Sequence, residues 1–207
     1  KNFIKEFILN QPSVIIANYN HTIKDIYIPQ LSSIITYNEN YEIISLIELN
    51  TDGLWNDGKI ECAIFNYPQK IKRSKNNSII ICDTCNHMIR KIEENKVYTL
   101  YGSGNPGYLE GSHRFCDFKF PNSIELDNQE NIFVADTNNH RIVKIDSMGN
   151  VFTICGDKTI GLEDGIGKKT KFKYPSDITG DNDNNLYVIE ELNNTIRKLS
   201  PYIIEII

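Results

Sequence analysis

The sequence predicts an all-β fold built from repeated four-stranded antiparallel sheets, and three observations predict it. The first is a strand–turn–strand segment whose copies begin at Ser78, Asn131 and Asn185, which are 53 and 54 residues apart. The second is a set of short landmarks that keeps the same step. The third is the lack of a helical period between them. A fixed internal period is the mark of a repeat architecture.

The landmarks are a single glycine, an acid–glycine pair and a Phe-x-x-Pro motif in each unit. They are Gly53, Gly107 and Gly161; Asp57-Gly58, Glu110-Gly111 and Asp164-Gly165; Phe65 to Pro68, Phe118 to Pro121 and Phe172 to Pro175. Three separate landmarks on one period exclude an accidental match. Each Phe is expected to fill the gap between neighbouring units, where its burial contributes on the order of 2 kcal/mol.

Each unit is predicted to hold four short strands. Ile132–Ala135 is an apolar, β-branched run typical of a buried strand, and Arg141–Ile145 alternates apolar and charged residues. Val151–Cys155 supplies another strand, and Ser123–Asp127, after the Phe-x-x-Pro motif, supplies the fourth. Four short strands separated by turn residues predict the blade of a β-propeller.

Strand counting gives a single propeller region over residues 1–207, with blades at about 3–47, 68–102, 121–156 and 175–207. The first strand of the first blade is expected at Phe3–Leu9. A weaker copy of the repeat begins at Ser13, and it carries about a dozen extra residues around Pro29–Glu42, between the third and fourth strands.

The phrase D-T-x-N-H-x-I-x-K-I, followed by V-x-T-[LI]-x-G, G-x-x-[DE]-G and F-x-x-P, resembles the NHL repeat. The resemblance is strongest in Ile79–Pro121 and Ile132–Pro175. It weakens at the ends, where Asn18 replaces the repeated Asp and Thr195 replaces the repeated His. Because NHL propellers usually close with six blades, the resemblance implies a partial propeller. A closed ring of four blades is the alternative.

Residues repeated in every unit are expected to build the blade. Asp83 and Asp136 end the second strand, where a carboxylate accepts backbone N–H groups across a turn. His21, His87 and His140 are assigned to the following turn. A zinc triad would require three turns that lie away from the propeller axis to converge on one tetrahedral ion. These five residues are therefore interpreted as structural turn residues, and neither a metal nor another cofactor is expected.

Cys82 and Cys85 have the C-x-x-C spacing of redox and zinc sites. The repeat places Cys82 where Ala135 stands in a strand, and Cys85 where Asn138 stands in a turn. Neither zinc nor a disulfide is expected there. The odd count of five cysteines favours a reducing, intracellular compartment.

Function is sought in residues that do not repeat. The turn after the second strand and the loop that joins consecutive blades lie on one face of a propeller. Aromatic and basic residues of these loops form the predicted partner-binding surface. They are Trp55, Tyr108, His113, Arg114, Lys168 and Lys169. The alternative is that the two aromatic rings pack on their own loops.

The leading interpretation is a non-catalytic protein–protein interaction module, as the scaffold role of the NHL family implies. A propeller enzyme, similar to metal-dependent lyases or lactonase-like hydrolases, is the alternative. Such enzymes need ligands on first strands, which contain no His here, although Glu125, Asp127 and Asp177 leave a calcium site open.

RNA binding, as in some NHL domains, is the third reading. It needs a broad basic face, whereas the net charge is −5 and the pI about 5.4, so a nucleic-acid partner is disfavoured. No apolar stretch approaches the roughly 18 residues of a membrane span, and no membrane partner is expected.

Overall fold

A computed structural model describes residues 15–18, 23–28, 32–38, 43–51, 53–200 and 204–206 of the chain. Within these ranges the strands form four antiparallel sheets that follow one another in sequence, with three-residue 3₁₀ turns as the only helical elements. None of these helical elements is long and apolar enough to cross a membrane. The predicted all-β class is confirmed.

In the described ranges the first sheet has four strands in sequential order. They are β1 (Ile15–Asn18), β2 (Ile23–Ile28), β3 (Ser33–Asn38) and β4 (Ile43–Glu48). Here the structure differs from the sequence alignment, because β3 lies inside the segment that was expected to be an insertion. It pairs along its whole length with β2, and Ile34 is fully buried.

This shift changes the position of the first turn. Residue 21 falls in the chain between the first and second strands of its sheet, whereas His87 stands between the second and third strands of its sheet. Both His21 and the expected strand Phe3–Leu9 lie outside the described residues. The residue that precedes the third strand is Ser32, whose φ of 47° matches the left-handed φ of 58° at His87. Isoleucine-rich strands look alike in sequence, so the sequence alignment makes Ile15–Asn18 a second strand, whereas it is the first strand of its sheet.

The second and third sheets each have five strands. The second contains β5 (Gly58–Lys59), β6 (Pro68–Arg73), β7 (Ile79–Asp83), β8 (Met88–Glu93) and β9 (Lys96–Tyr101). The third contains β10 (Gly111–Ser112), β11 (Pro121–Leu126), β12 (Ile132–Asp136), β13 (Arg141–Ile145) and β14 (Asn150–Gly156). The extra strands β5 and β10 start at the glycine of the acid–glycine pair. Each pairs with the outermost strand of its sheet.

The fourth sheet has four strands among the described residues, again in sequential order. They are β15 (Asp177–Gly180), β16 (Leu186–Glu190), β17 (Thr195–Leu199) and β18 (Ile204–Ile206).

Three apolar cores lie between consecutive sheets. Phe65, Phe118 and Phe172 are fully buried, one in each core, as the repeat predicted. We count the four strands of each blade from β6, β11 and β15, since β5 and β10 are added at the opposite edge. These first strands contact one another in turn, which places them on the inside of the array. Because each face that packs is apolar, stacking the sheets forms a continuous series of cores.

Candidate functional site

A buried arginine–acid pair joins the second and third strands of three sheets. In each pair the acid ends the second strand of the blade (β7, β12 or β16), and the arginine lies on the third (β8, β13 or β17). Both side chains of each pair are fully buried. The distances are 2.8 Å from Arg90 Nη1 to Asp83 Oδ2, 2.7 Å from Arg141 Nε to Asp136 Oδ2 and 3.4 Å from Arg197 Nη1 to Glu190 Oε2. Burial raises the pKa of Asp83 and Asp136, whereas the arginines and the hydrogen-bond donors around them lower it.

The same arginines fix the loop that precedes each sheet, because the Nη2 group of each donates to a loop carbonyl. The acceptors are Asn56 O at 2.6 Å from Arg90 Nη2, Asp117 O at 3.0 Å from Arg141 Nη2 and Glu163 O at 2.7 Å from Arg197 Nη2. Arg90 Nε and Arg197 Nε are buried without a hydrogen-bond partner among the described residues, whereas Arg141 Nε donates to Asp136. The paired N–H groups of all three arginines tie the third strand to the preceding loop.

The sequence comparison missed these arginines because they do not occupy one repeat position. Arg141 is five residues after its acid, whereas Arg90 and Arg197 are seven residues after theirs. Positions five and seven lie on the same side of a strand, since side chains alternate with a period of two. An alignment by strand face would have found the set.

The turn residues bind the loop that precedes their own sheet. Asp136 Oδ1 accepts the backbone N–H of Lys119 at 2.7 Å, and Asp136 Oδ2 accepts Asn139 Nδ2 at 2.8 Å. Asn139 also donates to the carbonyl of Gly107 at 2.6 Å, which ties the turn to the preceding loop. Asp83 and Asn86 form the corresponding pair in the second sheet, at 2.9 Å.

His87 and His140 make the same contact at successive boundaries. His87 Nδ1 accepts the N–H of Phe120 at 3.2 Å, and His140 Nδ1 accepts that of Tyr174 at 3.2 Å. Each imidazole also meets that aromatic ring edge-on, at 4.5 and 4.4 Å between centroids. Burial lowers the pKa of both histidines, which favours the neutral imidazole that the hydrogen bond needs.

Trp55 and Tyr108 lie in successive inter-blade loops, and both are half-buried. The Tyr108 ring stacks on the buried guanidinium of Arg141, 3.8 Å from its centroid. The Trp55 ring lies 5.8 Å from Arg90 and 5.9 Å from Arg114. Because cations bind the face of an aromatic ring, each ring is held against the third strand of the sheet that follows its loop, by Arg90 on β8 or Arg141 on β13.

The other predicted basic residues divide into two kinds. Arg114 and Lys168 occupy matching positions, and each pairs with the acid of the preceding loop: Arg114 with Asp57, and Lys168 with Glu110 at 3.3 Å. His113 stacks on Tyr101 at 5.8 Å instead of facing the loop aromatics. Lys169 is exposed. The structure thus brings Trp55 and Arg114 together. The two ion pairs also link the three consecutive inter-blade loops to one another.

Beside the two rings, a set of leucines is turned outward. Leu54 is 90% exposed, Leu109 57% and Leu162 44%. Together they define what we name the loop surface. It comprises Leu54, Trp55, Tyr108, Leu109, Arg114, Leu162 and Lys168. The leucines were missed because a single exposed leucine carries no signal in sequence, whereas three in corresponding loops form a pattern.

The three acids that the sequence offered as possible calcium ligands, Glu125, Asp127 and Asp177, have other partners in the structure. Asp177 accepts Lys70 Nζ at 2.9 Å, and Glu125 accepts Lys72 Nζ at 2.8 Å, so both pairs cross between first strands. Asp127 accepts the backbone N–H of Asn131 at 2.9 Å within its own turn. In the described part of the chain no group of three or more His, Cys, Asp or Glu side chains is arranged to hold a metal ion.

The cysteines in the C-x-x-C spacing are free thiols. Cys82 is buried in β7 and Cys85 lies in the following turn. Burial raises the pKa of both thiols, which disfavours the reactive thiolate.

Radially stacked antiparallel sheets with their first strands on the inside define a β-propeller. Within this class the family model for the NHL repeat matches residues 65–92 and 118–145. These two segments match the NHL repeat, and the fold of the described residues is that of a β-propeller. The model for the SR1 protein family also matches residues 79–108, which overlap the first NHL match and form β7 to β9 here.

Among curated proteins, the chain is similar to Protein SUPPRESSOR OF QUENCHING 1, chloroplastic, of Arabidopsis thaliana. The two are 30% identical over 93 residues, which are 44% of this chain and 9% of that protein. This chain therefore corresponds to a small part of that relative.

Solved structures share the fold at low identity. A structural genomics protein of unknown function from Bacteroides thetaiotaomicron has a TM-score of 0.74 at 20% identity, over 92% of this chain and 46% of that one. A streptogramin B lyase has 0.61 at 17%, over 95% and 55%. An auxiliary nutrient binding protein from Bacteroides ovatus has 0.64 at 16%, over 88% and 46%. The chain spans about half the length of these structures, and the likeness shows the fold alone.

Proposed function

We propose that this chain is a non-catalytic protein-binding platform that holds its partner on the loop surface. The observation that carries the proposal is the exposure of Leu54, Leu109 and Leu162 on successive loops. Apolar side chains held outward on a rigid base are the residues that lose most contact with water when a partner covers them.

The base of this surface is fixed before any partner arrives. Buried Arg90, Arg141 and Arg197 hold the loop carbonyls, and the Arg114–Asp57 and Lys168–Glu110 pairs hold each loop to the next. Because little backbone freedom remains to be lost on binding, such a surface favours association.

The charges on this surface indicate the chemistry of the partner. The side chains of Arg114 and Lys168 are 54% and 61% exposed beside the leucines. A protein segment with apolar side chains next to carboxylates would match both features. Such complementarity would mainly raise the association rate and fix orientation.

The enzyme alternative fits these contacts less well. The solved relatives include a lyase as well as a nutrient binding protein, so the fold supports either role. Here the first-strand acids Asp177 and Glu125 are already paired with lysines. A catalytic role for them would require those pairs to break.

Photo-crosslinking tests the proposal directly. Benzoylphenylalanine would be placed at position 54, and at Met148 as the matched control, because Met148 is 77% exposed in the β13–β14 turn. We expect a partner band from position 54 only. Leu54→Asp with Leu109→Asp should then weaken capture of that partner by about 1–3 kcal/mol at an unchanged melting temperature. Equal crosslinking from both positions would contradict the proposal.

A further inference from the structure

A groove of about 650 Å³ lies between the third and fourth sheets. Most of the side chains that line it are apolar, and two of these side chains are aromatic. The lining includes Phe133, Phe152, Ile154, Ile166, Leu186 and Leu199. This volume lies within the range of about 300–1,000 Å³ that is typical of small-molecule sites.

The corresponding space between the second and third sheets is filled. There Tyr101 and His113 stack with their ring centroids 5.8 Å apart and an angle of 26° between their planes. Tyr101 pairs with Ile89 in the second sheet as Cys155 pairs with Ile142 in the third, so Cys155 takes the place of Tyr101.

Glycine takes the place of the second ring. His113 begins one 3₁₀ turn with a φ of 48°, and Gly167 begins the equivalent turn with a φ of 59°. Cys155 and Gly167 both line the groove. The groove is therefore the space that two stacked rings occupy one boundary earlier.

A lysine at the groove provides a charge without an ion-pair partner among the described residues. Lys144 lines the groove, with its Nζ 5.6 Å from the centroid of the Phe133 ring. The equivalent Lys91 is paired with Glu93 at 2.8 Å. The groove acid, Asp127, already accepts N–H groups from Gln129 and Asn131.

We propose that this groove binds a planar aromatic anion. Its ring system lies between Phe133 and Phe152 in the space that Tyr101 and His113 fill at the previous boundary, and its anionic group pairs with Lys144. Aromatic walls favour stacked or edge-on rings, and the Lys144 ammonium, which has no ion-pair partner among the described residues, favours an anion. None of the residues that line the groove belongs to the loop surface, and the two meet at one 3₁₀ turn, where Gly167 lines the groove and Lys168 belongs to the loop surface.

The probe for the test is 1-anilinonaphthalene-8-sulfonate, with the neutral N-phenyl-1-naphthylamine as its matched control. Fluorescence titration of the whole chain should give saturable binding of one sulfonate probe. Lys144→Met should weaken sulfonate binding about tenfold, which is the scale of one charge-assisted contact, and leave the neutral probe within about twofold. Lys91→Met, at the equivalent position, should change neither.

Filling the groove is the second arm. Cys155→Tyr with Gly167→His should weaken binding of both probes by more than about tenfold, because the rings then occupy the site. If that variant does not fold, Ile166→Asp replaces it, since Ile166 is 68% exposed. Ile166→Asp should weaken the sulfonate probe more than Ile166→Asn does. No saturable binding to the wild type, unchanged affinity after filling, or equal effects of the two lysine variants would each overturn the proposal.

Discussion

The boundary between the second and third sheets and the boundary between the third and fourth are built from the same repeat but filled differently. Both contain a buried phenylalanine, a histidine bonded to the following sheet and an arginine–acid pair. Only the earlier boundary carries the Tyr101–His113 stack. The repeated residues hold consecutive sheets together, whereas residues that vary from unit to unit decide whether a boundary is closed or leaves a groove.

The largest effect is expected where the two boundaries are alike. Arg141→Ala and Arg197→Ala each leave a buried acid without its cation, so each should lower the free energy of unfolding by about 3–5 kcal/mol. Urea denaturation measures this, with Lys198→Ala on the same strand as the control. A much smaller loss for Arg197→Ala would show that the later boundary is not held by the same contacts.

A smaller effect should separate the boundaries. Tyr101→Ala removes a half-buried ring from the closed boundary and should cost about 2 kcal/mol. Cys155→Ala, at the matching position beside the groove, should cost less than about 1 kcal/mol, since it removes a single sulfur atom. The pair would be measured in the same urea series. Equal losses would argue against the difference in filling.

The histidine contacts should give both boundaries the same dependence on pH. Burial lowers the pKa of His87 and His140, so the unfolded chain takes up protons first as pH falls. Stability should therefore fall below about pH 6.5, by at most about 1.4 kcal/mol per pH unit for each histidine, until the folded pKa is passed. Protonated Nδ1 can no longer accept the N–H of Phe120 or Tyr174.

His87→Asn with His140→Asn provides the matched control, because Asn194 stands at the equivalent left-handed position of the fourth sheet. Unfolding free energies at pH 5, 6 and 7.5 should depend less on pH in the double variant. An unchanged slope would assign the acid sensitivity to other groups.

The sequence predicted the repeat, the all-β class and the burial of the three phenylalanines, because each depends on a residue that recurs at one step. It misplaced the first sheet, where isoleucine-rich strands allow two registers. The arginines escaped notice because they occupy two positions on one strand face. The additional strands β5 and β10 form where the inter-blade loop folds back and pairs with the outer strand of the sheet. The groove forms because both Cys155 and Gly167 are small residues that line the same space. Spacing along the chain does not encode either feature.

The unfolding free energy of Cys155→Tyr with Gly167→His tests most directly whether the later boundary holds unfilled space. Gly167→His alone is the reference, because a side chain at a φ of 59° has its own backbone cost. Relative to that reference, adding the tyrosine should raise the free energy of unfolding by about 1 kcal/mol, as filling a cavity does. A loss of about 1–3 kcal/mol, the result of overpacking a closed core, would contradict the account.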